Sequence, residues 1–263
     1  MKKRLLFLLL ALTLLLLTGC MGPRTLLRKV REEFTKKPAP TATEEQAQAV
    51  PIFMYHAVSD DVWGVEHLFV SPSEMEKQLA YLSENGYTTI FFDDLSHAED
   101  FEKPVLLTFD DGYDDNYTEL YPLLQKYNAK ATIFMIANDL GIHHKMTQEQ
   151  MAELSRSGLV SIQSHTYSHQ PLATLDAETQ DYEMKESQSA LEEMTGVKPT
   201  VLSFPNGSFN EDTLRLAKQY YTWAVTTNHA VYYLGTDPYK MNRFAVKRET
   251  TLDEFAQFCA YAG

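Results

Sequence analysis

Two carboxylates stand side by side in Thr108-Phe109-Asp110-Asp111-Gly112, directly after the apolar run 105–107. The run is of the kind that makes a buried strand, and Gly112 lets the chain turn. Paired carboxylates at the end of a buried strand are costly unless a metal or a proton compensates them. A metal needs more ligands, and the chain offers them in His165-Thr166-Tyr167-Ser168-His169, past a second strand-like run at 159–163. One Asp and two His leave a coordination position open for water, the pattern of a catalytic metal site. The second Asp is then free to act as a general base. Position 166 is Thr rather than Glu, so the two His are not those of a zincin helix.

A hydrolytic site also needs a proton donor for the leaving group. Pro51-Ile52-Phe53-Met54-Tyr55-His56 reads as a strand ending in a residue that titrates near neutral pH. Two readings of His56 stand at this level, a general acid and a buried structural histidine. Backbone N–H groups in the turn Pro205-Asn206-Gly207 offer an oxyanion site. His67, His97, His143, His144 and His229 are read as surface or core residues, and Asp114 and Asp115 as charges at a helix start. Together the groups describe metal-assisted hydrolysis of an acyl bond.

These residues need elements to hold them. Strand patterns fall at 51–56, 88–92, 105–109, 131–136, 159–163, 201–204 and 223–226, with an eighth or closing piece at 244–246. Helices are expected between them. Ser71-Pro72-Ser73-Glu74 and Thr251-Leu252-Asp253-Glu254 are capping boxes. The other helices cover 116–127, 147–157, 176–194 and 210–220. Alternating strands and helices give a parallel sheet, and seven or eight such units suit a closed α/β barrel. His56, Asp110, Asp111, His165, His169, Asn206 and Thr227 all follow strand ends, which converge on one face of a barrel.

The 263 residues carry a net charge of −13, unevenly spread. Residues 1–37 hold nine Lys/Arg against two Glu, and the rest hold 14 against 34 acidic residues. A body this acidic argues against nucleic acid and polyanionic partners and tolerates neutral or cationic glycans. Lys2, Lys3 and Arg4, the leucine-rich stretch 5–17 and Leu17-Thr18-Gly19-Cys20 form a secretory signal. Its last four residues resemble the bacterial lipoprotein signal, which implies an acylated Cys20 as mature N-terminus; an uncleaved anchor is the other reading. Either places the body outside the cytoplasmic membrane. The expected organisation is a signal at 1–20, a Pro/Ala/Thr/Gln-rich tether at 21–50 and a catalytic domain at 51–263. Cys259 is read as a core residue.

The Asp-Asp-Gly and His-x-x-x-His segments resemble the first two motifs of the polysaccharide deacetylase family (carbohydrate esterase family four). Met54-Tyr55-His56-Ala57-Val58 and Gly158-Leu159-Val160 extend the likeness, which runs from Pro51 to the C-terminus. It implies a distorted (β/α)7 barrel with parallel strands. Asp110 is then the base, and Asp111, His165 and His169 bind a divalent metal, usually zinc, with cobalt or nickel as alternatives. The chain departs from the family's third motif, Arg-x-Pro-Tyr-Gly. Ser203 stands at the Arg position and Asn206 at the Tyr position. The family uses the backbone N–H of the latter residue, so that change is tolerable, and Arg243 is the candidate substitute for the lost Arg. Pro205, Asn206 and Arg243 are expected to face substrate. The late Leu-x-x-His motif that supplies the acid has no match. Tyr55-His56 instead resembles the circularly rearranged subgroup acting on poly-N-acetylglucosamine, in which an early His takes the acid role.

The resemblance therefore implies a lipid-anchored N-deacetylase of a β-linked N-acetylglucosamine polymer at the outer face of the membrane. An exopolysaccharide synthesis or export complex is a further partner under that reading. Peptidoglycan deacetylation, O-acetyl ester hydrolysis and a catalytically silent glycan-binding lipoprotein are the alternatives.

Overall fold

A computed structural model describes residues 47–262. The signal at 1–20, Cys20 and the tether as far as residue 46 lie outside the described residues. The body starts slightly before Pro51, because Ala49–Val50 pairs antiparallel with Tyr232–Tyr233.

Seven strands form the path of the eight-stranded main sheet, β1 (Ile52–Tyr55), β2 (Pro104–Phe109), β3 (Ala131–Met135), β4 (Val160–Ser164), β5 (Val201–Ser203), β6 (Trp223–Val225) and β7 (Phe244–Ala245), and the short strand Thr88–Thr89 pairs with β2 off that path. Their spatial order is β6-β5-β4-β3-β2-β1-β7, and every neighbouring pair is parallel. All residues of β1, β2 and β3 are buried, as expected of parallel strands covered on both faces. One short segment closes the circuit. Met241 bridges Val225 of β6, and three residues later Phe244 pairs with Phe53 of β1. The sheet is thus a distorted seven-stranded barrel, as the alternation of elements implies.

Among the described residues six α-helices wrap it: α1 (Pro72–Glu84), α2 (Tyr121–Tyr127), α3 (Gln148–Arg156), α4 (Ala177–Thr195), α5 (Glu211–Tyr220) and α6 (Leu252–Cys259). Five begin at a side-chain cap. Ser71, Thr147, Asp176, Asn210 and Thr251 each accept the N–H three residues on.

Two expected elements differ. The strand at 88–92 shrinks to Thr88–Thr89, and Phe92–Asp100 winds into 3-10 turns. The Asp94 carboxylate accepts the Phe91 N–H at 3.0 Å and starts that winding, while Phe92, Leu95 and Ala98 turn inward. The helix expected from 116 opens as a π-turn, Asn116–Leu120, before α2. Pro122 has no N–H to give the carbonyl of Thr118, so the turn widens there.

Candidate active site

The strand ends bring four of the expected residues together, Asp110, Asp111, His165 and His169. Asp111 follows β2 at φ 73°, and its Oδ1 lies 3.4 Å from His165 Nε2 and 3.5 Å from His169 Nε2. The three ligand atoms lie within 4.8 Å of one another, and among the described residues no other group of His, Cys, Asp and Glu converges this way. Asp111 Oδ1 is buried without a hydrogen-bond partner. His165 Nδ1 lies 2.8 Å from the Ser203 carbonyl. A carbonyl only accepts, so Nδ1 carries the proton and Nε2 turns its lone pair to the cluster. A buried orphan carboxylate oxygen facing two imidazole nitrogens fits a divalent cation of the zinc type.

The backbone is bent to make this cluster. Asp111, Thr166 (φ 65°) and His169 (φ 59°) all occupy the left-handed region, which is unfavourable for a β-branched Thr above all. Such strain gathers where a site must be held. Burial alone would raise the Asp111 pKa, but the His165 imidazole beside it holds it well below the usual carboxylate range. For His165 burial acts downward, the Asp110 and Asp111 carboxylates act upward, and the balance is upward.

Asp110 points to a different neighbour. Arg243 grips it bidentately, Nη1 to Oδ1 and Nη2 to Oδ2, both at 2.8 Å. The guanidinium also donates to Thr108 Oγ1 (3.0 Å), Ser203 Oγ (3.1 Å) and the Thr226 carbonyl (2.9 Å). Ser203 Oγ donates in turn to Asp110 Oδ2 at 3.3 Å. The small Ser203 leaves room for a guanidinium arriving from the barrel-closing segment. Of the two roles expected for Arg243, the structure supports the steadying of Asp110. It corrects the substrate-facing one, because Arg243 is 0% exposed. Burial pushes the Asp110 pKa up, Arg243 and then His165 push it down, and the net direction is down.

His56 directly follows β1, half-buried. Burial lowers its pKa, Asp110 and Asp111 raise it, and the balance is downward. The sequence gives no sign of what holds its loop. Asn116 Nδ2 donates to the His56 carbonyl at 3.0 Å, and Asp115 Oδ1 accepts the Val58 N–H at 3.0 Å. Asp115 stands at the helix start, at the N-cap of Asn116–Leu120, but it is also a buried loop tie, its pKa raised by burial to about 6. Lys145 is another residue the sequence does not single out. Its Nζ donates to the Asp111 carbonyl at 2.9 Å and sits 4.1 Å over the Tyr113 ring. Asn206 is exposed at φ 55°, over a buried Pro205, in a turn whose hydrogen bonds are given by Gly207 and Ser208 N–H. Trp63 stacks on His144 at 4.0 Å and meets the Tyr113 ring edgewise, whereas the Tyr117 hydroxyl donates to Glu153.

Comparison with known proteins shows the family. A family profile described as polysaccharide deacetylase matches residues 97–224. The chain is 39% identical over 210 residues to YxkH of Bacillus subtilis (strain 168), which carries the polysaccharide deacetylase name provisionally; the match covers 78% of this chain and 73% of YxkH. The chain belongs to the polysaccharide deacetylase family. The solved structure of BC0361, a polysaccharide deacetylase from Bacillus cereus, superposes on this deacetylase with a TM-score of 0.77 at 31% identity, covering 81% of this chain and 69% of that one. The poly-β-1,6-N-acetyl-D-glucosamine N-deacetylase of Escherichia coli (strain K12) is 29% identical over 133 residues, 43% of this chain but only 20% of that protein.

Gly112 shows how tightly the deacetylase packs behind its carboxylates. It sits at φ +67°, and a Cβ there would lie 2.3 Å from Met135 Sδ. Gly112→Ala is expected to cost about 2–4 kcal/mol from overpacking and left-handed strain, read as a lower urea midpoint. An unchanged midpoint would mean that Met135 yields freely.

Proposed function

We propose that this deacetylase removes N-acetyl groups from a β-linked N-acetylglucosamine polymer of the poly-β-1,6 type, outside the cytoplasmic membrane and anchored through an acylated Cys20. The observation that carries the reading is His56, which follows Tyr55 of β1 where the Tyr55 carbonyl accepts the Asp110 N–H at 2.9 Å and Tyr55 pairs with Phe109. The similarity to the Escherichia coli enzyme supports the choice of polymer.

When bound by Asp111, His165 and His169, a divalent cation such as zinc supplies a Lewis acid that polarises the acetamide carbonyl and lowers the pKa of water beside it. Asp110, held ionised by Arg243, takes a proton from the attacking water. The Asn206 N–H donates to the oxyanion that develops on the carbonyl oxygen. His56 gives its proton to the nitrogen as the C–N bond breaks, leaving acetate and a free amine. A lowered pKa makes the His56 imidazolium a ready donor, at the cost of a smaller charged fraction at neutral pH.

The test is acetate release from β-1,6-linked N-acetylglucosamine oligomers by the full chain, with zinc or cobalt and with chelator. Release should require metal and fall about 100-fold or more in His56→Ala. Release confined to peptidoglycan fragments would replace the polymer. Release only from O-acetyl esters would replace the bond. Metal binding with no release from any of these would favour a glycan-binding role. Detergent-phase partition of the chain, lost in Cys20→Ser, tests the anchor.

A further inference from the structure

Helix α4 buries a polar face where an apolar one is expected. Its inward residues include Gln180, Glu183, Ser187 and Gln188 beside Met184 and Leu191. Glu183 is the most demanding of them, a carboxylate only 2% exposed. Among the described residues it forms no ion pair. A buried carboxylate is tolerated only if its oxygens are hydrogen-bonded, and both oxygens of Glu183 go to one residue. Ser168 donates its N–H to Oε2 at 2.8 Å and its hydroxyl to Oε1. The Glu183 carbonyl accepts the Tyr167 N–H at 3.1 Å.

Tyr167 and Ser168 lie between the two histidines of the metal trio. The bend they make runs from Thr166 to His169, both left-handed. Thr166 Oγ1 accepts the His169 N–H at 3.1 Å and holds the bend from within. Glu183 holds it from the helix behind. A carboxylate's two oxygens accept two donors at once.

We propose that Glu183 is a positioning residue for the metal site, holding Ser168 and Tyr167 so that the bend aims His169 at Asp111. The inference rests on the metal-site reading above. Partners behind metal ligands affect affinity about 10- to 100-fold in metal sites generally, so the effect is measurable without turnover.

The experiment titrates cobalt or zinc into the chelator-treated full chain and follows the cobalt absorption spectrum, with thermal unfolding of the metal-free protein alongside. Glu183→Ala should bind cobalt about 10- to 100-fold more weakly, with an altered spectrum. Glu183→Gln should stay within about threefold of wild type, since the amide oxygen takes the Ser168 N–H and the Ser168 hydroxyl turns to accept the amide N–H. If Glu183→Ala does not fold, Ser168→Ala on the half-buried loop tests the same link and should weaken cobalt binding several-fold. Wild-type affinity and spectrum in Glu183→Ala, or in Ser168→Ala where only that variant folds, would overturn the proposal and leave the metal site standing. A wild-type chain that binds no metal would overturn the metal-site reading and the proposal with it.

Discussion

Arg243→Met should destabilise the fold by about 3–5 kcal/mol, the cost of removing one partner of a buried ion pair. The guanidinium is fully enclosed and makes five hydrogen bonds, two of them to Asp110. Its loss leaves the buried Asp110 carboxylate with only the long Ser203 hydroxyl bond and the His165 imidazole beside it. Burial, already the largest influence on that carboxyl and directed upward, would then act without its main opponent. The Asp110 pKa should rise, and the base should weaken along with the stability. Turnover should therefore fall by about 100-fold or more. Arg243→Lys should recover only part of both effects, because an ammonium cannot grip a carboxylate bidentately. The decisive comparison is urea unfolding of Arg243→Met beside Arg243→Met/Asp110→Leu. Removing both charges should recover most of the loss, since an apolar pair of similar volume is often neutral or better. A double variant as unstable as the single one would place the cost in the Thr226 and Thr108 contacts instead.

Much of the frame can be read from local chemistry. Ser71, Thr147, Asp176, Asn210 and Thr251 each mark a helix start, because a cap needs only a side-chain oxygen three residues before an N–H. Thr108-Phe109-Asp110-Asp111-Gly112 and the His165–His169 spacing expose the metal trio, because each half is contiguous in the chain. What the sequence hides is what arrives from far away. Arg243 meets Asp110 across 133 positions, from a segment whose strand is two residues long. The third motif points to a missing Arg and Arg243 can be named as its substitute, but neither the bidentate grip on Asp110 nor its full burial can be read from the sequence. Glu183 reads as one more charge on an acidic helix until the helix is laid against the barrel. The 3-10 winding at Phe92–Asp100 loses its strand to one Asp94 hydrogen bond, which the apolar pattern of 88–92 does not reveal.

The adjacent carboxylates should separate cleanly when each is changed to its amide. Asp111 offers an orphan oxygen to two imidazoles, whereas both oxygens of Asp110 are engaged by Arg243. Asp111→Asn should therefore lose most of its affinity for zinc or cobalt, since a neutral amide oxygen is a weaker ligand than a carboxylate. Asp110→Asn should bind the metal much as wild type does and yet turn over about 10²–10⁴-fold more slowly, the range for loss of a general base. It should also be less stable, because Arg243 keeps a buried charge with no anion beside it. The two readouts are cobalt titration of the metal-free chain and acetate release at saturating metal. If Asp110→Asn loses the metal while Asp111→Asn keeps it, the two roles are exchanged, and Arg243 would then be steadying a ligand rather than a base. If both variants keep the metal, His165 and His169 must draw on a third ligand other than Asp111, and the trio assigned here is wrong.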